Sequence, residues 1–140
     1  MRLFALIVFG IHMLFELAFG ANAFLSGASS SQSVEQIAEQ SVEMTIAFRF
    51  LGSALISLGV MGAIIIFVAG VQSVAARYTA IGFFAFHALG ASGSVWSAAP
   101  GFEVYQQTLS LGALILHTLL AVGFLIVALS WRDEALGSTD

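Results

Sequence analysis

An all-α, integral membrane four-helix bundle is the fold this sequence predicts. Three observations carry it: little charge, four apolar runs long enough to cross a bilayer, and aromatic residues at the ends of those runs. Of the 140 residues, 59% are hydrophobic and 9% are charged, and the mean hydropathy is +1.00. Soluble domains carry roughly 25% charged residues, so this chain lacks the polar surface to hold an apolar core in water. Its length suits one domain, and residues 1–140 read as a single transmembrane domain. The basic residues are four arginines spread singly, Arg2, Arg49, Arg77 and Arg132. No patch follows a phosphate backbone, which excludes nucleic acid as the expected partner. Without cysteine there is neither a disulfide nor a thiolate metal site.

A bilayer core takes about 20 helical residues. The spans then fall at about 3–25, 44–69, 78–97 and 107–131. The first, opening "MRLFALIVFG" and reaching "ANA" at 21–23, also has the arginine, apolar run and small-residue end of a signal peptide. The length of the run and the presence of His12 and Glu16 within it favour a retained helix. Between the first two spans lies "SSSQSVEQIAEQSVE", residues 29–43. Ser33 with Gln36 reads as a capping box, and Val34, Ile37, Ala38 and Val42 recur at helical spacing. An outer amphipathic extension over about 33–43 follows, either lengthening the second span or lying on the surface; a lid over an outward cavity is the sharper alternative. "GVQSVAAR" (70–77) and "AAPGFE" (98–103) are short links, so the spans alternate up-down-up-down.

Orientation follows from charge. Arg2, Arg77 and Arg132 sit on one side, and Glu35, Glu39, Glu43 and Glu103 on the other. The positive-inside rule puts both termini in the cytoplasm. Tyr78 and Trp131 fall at the inner edge, Trp96 and Tyr105 at the outer edge, as an interfacial aromatic belt requires.

Ionisable residues inside spans are costly and face a bundle interior or a cavity. His12 lies mid-way along the first span with Glu16 one turn outward. Thr45, Arg49, Ser53 and Ser57 form a stripe on the second. His87 lies mid-way along the third, with Gly90, Ala91 and Ser94 continuing its face, and Gln106, Ser110 and His117 mark the fourth. The simplest packing turns all four stripes inward. At about 1.5 Å of rise per residue, His12, His87 and His117 share one depth, with Glu16 and then Arg49 farther out. This predicts an interior polar site of His12, Glu16, Arg49, His87 and His117, supported by Ser53, Ser57, Ser94, Gln106 and Ser110. Glu16 and Arg49 are its natural charge pair. The alternative has Arg49 snorkelling to headgroups or Glu43, with Glu16 protonated.

Three chemistries stay open for the histidines. They serve as interhelical hydrogen-bonding groups that fix packing. They hold a metal ion through His12, Glu16, His87 and His117, or a b-type haem through two axial imidazoles. Or they pass protons and act as acid and base on a lipid-soluble substrate. No H-x-x-x-H or H-E-x-x-H spacing is present, so no metal motif is claimed. Gly52, Gly59 and Gly62 on the second span, and Gly82, Gly90 and Gly93 on the third, let helices approach within the bundle or in a homo-oligomer.

"AFRFLGSALISLGVMG" (47–62) and "FHALGASGSVWSAAPG" (86–101) resemble small four-span bacterial membrane proteins of the DoxX-like and related uncharacterised families. The shared pattern is an arginine followed by spaced glycines on the second span, and a glycine-rich third span ending in a turn. The likeness covers about residues 44–125 and implies a four-helix bundle in a bacterial inner membrane, with no catalytic residues to carry over. The leading expectation is non-enzymatic: an accessory subunit of a larger membrane complex, or a binder of a small hydrophobic ligand, embedded in the lipid bilayer. The rival is a membrane redox or acid–base protein built on the His/Glu set. A proton or ion pathway is disfavoured, because "RLFALIVFG", "GAIIIFVAG" and "LLAVGFLIVAL" leave the cytoplasmic half without a polar line.

Overall fold

Helix α1, Arg2–Ser26, runs without interruption because it contains no proline and few residues that compete for its backbone. It stops at Gly27, whose φ of 65° is the left-handed closure that glycine alone adopts cheaply. In this computed structural model the described residues are 1–29, 32–98 and 108–130, and among them no strand occurs. After α1 come α2 (Val34–Ala38), α3 (Val42–Ile64) with a π-helical continuation (Ile65–Ala69), α4 (Val74–Ala98) and α5 (Thr108–Leu129). Three helices are long and apolar enough to cross a membrane: Arg2–Ser26, Val42–Ala69 and Leu111–Leu129. Large apolar side chains such as Phe50, Phe67, Leu119 and Leu129 are exposed along them. So much open apolar surface suits lipid and not water; this is a helical membrane protein.

The chain divides into two units, one of Phe9–Gly70 and one of Met1–Val8 with Val71–Asp140. In the first, α1 packs antiparallel on α3 along a seam of glycines. A Cβ on Gly52 would strike the backbone nitrogen of Phe24 and stand 2.7 Å from the Gly20 carbonyl oxygen. One on Gly20 would stand 2.8 Å from the Ile56 nitrogen, and one on Gly59 2.8 Å from Leu17. The two backbones therefore touch. In lipid, where apolar burial gives no hydrophobic gain, such close contact is what drives helices together.

The C-terminal end of α1 is clasped by side chains. Gln40 Nε2 donates to the Gly27 carbonyl (2.6 Å) and to Thr45 Oγ1 (2.9 Å), while Gln32 Nε2 donates to Gln40 Oε1 (2.9 Å). Gln32 Oε1 in turn accepts from the Ser29 amide at 2.7 Å. These bonds take up a carbonyl at the helix end that has no intrahelical partner.

The capping box at Ser33 forms as expected: Ser33 Oγ accepts from the Gln36 amide, and Gln36 Oε1 accepts from the Ser33 amide. The 33–43 segment is not one continuous extension of α3, however. Ser41 adopts an extended ψ of 159° and caps Met44, so the helix restarts there and α2 stands alone. Its own backbone amide and the Ser33 hydroxyl hold the Glu35 carboxyl below the ordinary carboxylate range. A lowered folded value means stability that is present above the ordinary carboxylate pKa and lost as pH falls through the folded one. Amide protection across residues 34–38, taken relative to the intrinsic exchange rate at each pH, should therefore fall below about pH 4, and this acid dependence should weaken in Glu35→Gln.

Gly70, at φ 83°, ends the π segment. The link "GVQSVAAR" is shorter than its sequence suggests, because Ser73 Oγ accepts from the Ala76 amide and starts α4 at Val74. In the second unit α4 and α5 pack along their lengths around the buried Phe83, His87, Leu120 and Phe124. Val8 seats against Gly123, where a Cβ would come within 3.0 Å of its Cγ2.

Candidate functional site

The glycine seam decides what α3 offers to α1, and that is not its polar stripe. Gly52, Ile56, Gly59 and Gly62 face α1, whereas Arg49, Ser53 and Ser57 are exposed. The hydroxyls need no partner from another helix. Ser53 donates to the Arg49 carbonyl and Ser57 to the Ser53 carbonyl, both at 2.9 Å. Thr118 does the same to Leu114 at 2.9 Å, and Ser94 to Gly90 at 2.9 Å. A hydroxyl satisfied by its own helix four residues back can face lipid. The expected inward turn of all four stripes therefore fails for α3.

The Glu16–Arg49 pair fails for the same reason. Leu17, beside Glu16, lies level with Gly59. Gly59 is ten residues along α3 from Arg49, about 15 Å at helical rise and more than an arginine can span. Arg49 instead lies by the C-terminal end of α1, its Nε 3.4 Å from where a Cβ on Gly27 would stand. A cation there is favoured by the helix dipole.

Glu16 is buried and keeps a nearer neighbour. His12 Nδ1 stands 3.8 Å from Glu16 Oε1, one helical turn away, and His12 is fully enclosed. Room for its ring comes from Gly62, where a Cβ would come within 3.3 Å of His12 Cδ2. Both belong to the Phe9–Gly70 unit.

His87 and His117 belong to the other unit and meet directly. Their Nδ1 atoms are 2.9 Å apart, a hydrogen bond in which one ring donates and the other accepts. Two neutral rings so joined hold opposite tautomers. Gly90 makes the contact possible, since a Cβ on it would stand 3.0 Å from His117 Nδ1. The surroundings are aromatic. Phe124 stacks on His87 (5.8 Å, 5° between planes) and meets Phe83 edge-on (5.2 Å, 65°). Phe86 sets its edge against His87 at 5.0 Å and His117 at 6.0 Å. A double-mutant cycle over His87→Leu and His117→Leu should return a coupling of about 0.6 kcal/mol, and no more than about 1.7 kcal/mol, the range of hydrogen bonds between membrane helices. Reversible unfolding in mixed detergent micelles measures it.

Gln106 lies outside the described residues, as do Glu103, Tyr105, Trp131 and Arg132, and Ser110 is described only as part of the first turn of α5. Sequence reasoning missed the Gln32–Gln40 clasp, for which the only signal is a pair of glutamines flanking a capped turn. No protein-family model, curated protein or solved structure matches the chain.

Proposed function

We propose that the chain is a four-span protein of a bacterial inner membrane with both termini cytoplasmic, related to the DoxX-like families. In this reading it acts as an accessory subunit or a binder of a small hydrophobic ligand, through a polar site at mid-membrane. The observation that carries the reading is the His87–His117 hydrogen bond. Histidines set mid-way along two packed helices are expensive in hydrocarbon, and such residues mark functional sites by default. The separation favours polar binding over metal ligation through these two atoms. Two nitrogens at about 2.0–2.1 Å from one tetrahedral metal stand about 3.3 Å apart, wider than the 2.9 Å here.

The second reading, redox or acid–base chemistry with a metal ion or b-type haem, is favoured by one observation: His12 and Glu16 are both buried and share one face of α1. Absorbance and metal analysis of protein purified in mild detergent separate the two. Colourless, metal-free protein that retains extractable lipid or a partner subunit is the expected result. A Soret band or stoichiometric metal that disappears in His87→Ala overturns the binding reading. Topology is checked with single cysteines, since the chain has none of its own. Gln72→Cys should react only from the cytoplasmic side, and Glu39→Cys and Gly101→Cys only from the other. Labelling of positions 72 and 101 from one side would remove α4 as a span.

A further inference from the structure

Beside the histidine pair, in the same unit, α4 and α5 leave an open groove. It has a volume of about 620 Å³ and is lined by Ala91, Ser92, Val95, Trp96, Leu114 and Thr118. The walls are mainly hydrocarbon, and of the two lining hydroxyls that of Thr118 is already bonded to its own helix, which leaves Ser92 as the one other hydroxyl of the walls and gives a water-soluble solute little to hold. His117 does not itself line the groove, but its neighbours do. Ala91 follows Gly90, on which the His117 ring rests, and Leu114 and Thr118 flank His117 along α5.

His117 differs from His87 in one respect. His87 is enclosed, whereas His117 is half-buried. Its Nδ1 is committed to His87, and among the described residues its Nε2 makes no hydrogen bond. Either tautomer of the pair leaves that Nε2 with one unmet role, a donor if His87 supplies the shared proton and an acceptor otherwise. A polar atom open at mid-membrane beside an apolar groove describes the complement of an amphiphile: a long hydrocarbon body and a head with one oxygen function. A hydroxyl satisfies both tautomers, and a carbonyl satisfies the donor form.

We propose that the α4–α5 groove binds a membrane-dissolved lipid with a carbonyl or hydroxyl head, which enters sideways from the bilayer, lays its chain along Ala91, Val95 and Leu114, and hydrogen-bonds His117 Nε2. Trp96, exposed at the outer end, marks the groove's approach to the interface, where indole rings settle. This deepens the ligand-binding reading above and rests on it.

The test is photolabelling of the full chain in nanodiscs with a diazirine-bearing long-chain alcohol, and with the matching diazirine alkane as a headless control. The alcohol should label the segments 91–96 and 114–118 and be displaced by excess unlabelled alcohol. His117→Phe should lower that labelling about fivefold or more, the order of one lost hydrogen bond. Ala91→Trp, which fills the groove and leaves both imidazoles in place, should lower it at least as far. Gel filtration and circular dichroism show that each variant is folded; if His117→Phe is not, Ala91→Trp alone decides. Equal labelling by the alkane, or label spread evenly over α1 and α3, overturns the groove as a specific site. That result in colourless, metal-free protein defeats this inference alone, whereas a haem or bound metal defeats the reading beneath it.

Discussion

Gly52→Ala is expected to be the most damaging single-methyl substitution in the Phe9–Gly70 unit. The added carbon has only main chain to meet: the Phe24 nitrogen, the Gly20 carbonyl oxygen at 2.7 Å and the Phe24 Cα at 2.9 Å. Backbone cannot rotate aside as a side chain can, so α1 and α3 must separate along much of their seam. Overpacking of this kind costs about 1–3 kcal/mol, and a backbone-to-backbone clash belongs at the upper end. Gly59→Ala should cost less, because much of what it meets is the Leu17 side chain. Gly82→Ala and Gly93→Ala meet nothing within 4 Å and should be neutral or slightly stabilising, since alanine is the better helix former. Unfolding in a denaturing-detergent titration would order the four. A Gly52→Ala protein as stable as Gly93→Ala would show that the α1–α3 seam is not as tight as described.

Phe124→Ala should be the corresponding lesion in the other unit. Phe124 is fully buried and its ring touches both Phe83 and His87. In a bilayer the transfer term is small, because a phenyl ring is as content in lipid as in the protein. The void remains, and at about 24 cal/mol per Å³ a phenyl-sized cavity costs roughly 2 kcal/mol. Removing the stacked ring also frees His87 to tilt, so the Nδ1 contact with His117 should loosen along with stability. Nitrogen-15 chemical shifts of the two imidazoles report that directly. Two separate tautomeric patterns in the parent protein should give way to exchange-averaged ones in Phe124→Ala. Phe124→Leu should keep more of the stability but not the stacked orientation.

Much of the architecture was legible because it is local. Ser33 and Gln36 sit at capping-box spacing, and the apolar runs have the length a bilayer demands, so these features follow from a few neighbouring residues. Interhelical register is not local. Glu16 and Arg49 looked like partners when height was counted from the ends of each span. Which residues of α1 and α3 stand level was set by the glycines that allow contact, and that placed Arg49 near Gly27. The serine stripe misled for a related reason. Polarity in a helix signals an inward face only when the polar group needs a partner from elsewhere, and Ser53 and Ser57 find theirs in their own helix. His87 and His117 were legible as residues well inside long helices. That their Nδ1 atoms meet depends on Gly90, a glycine indistinguishable by sequence from Gly93, which touches nothing.

The π-helical turn at Ile65–Ala69 bears on how such a chain tolerates insertions. A π turn holds one residue more than an α turn over a similar axial distance. Here it follows the glycine seam, which ends at Gly62, and precedes the positive-φ turn at Gly70. Both flanking features are fixed, so a surplus residue between them is absorbed as a wider turn and shifts neither. The C-terminal end of α3 is therefore a place where single-residue insertions and deletions can accumulate while the seam and the turn at Gly70 keep their places.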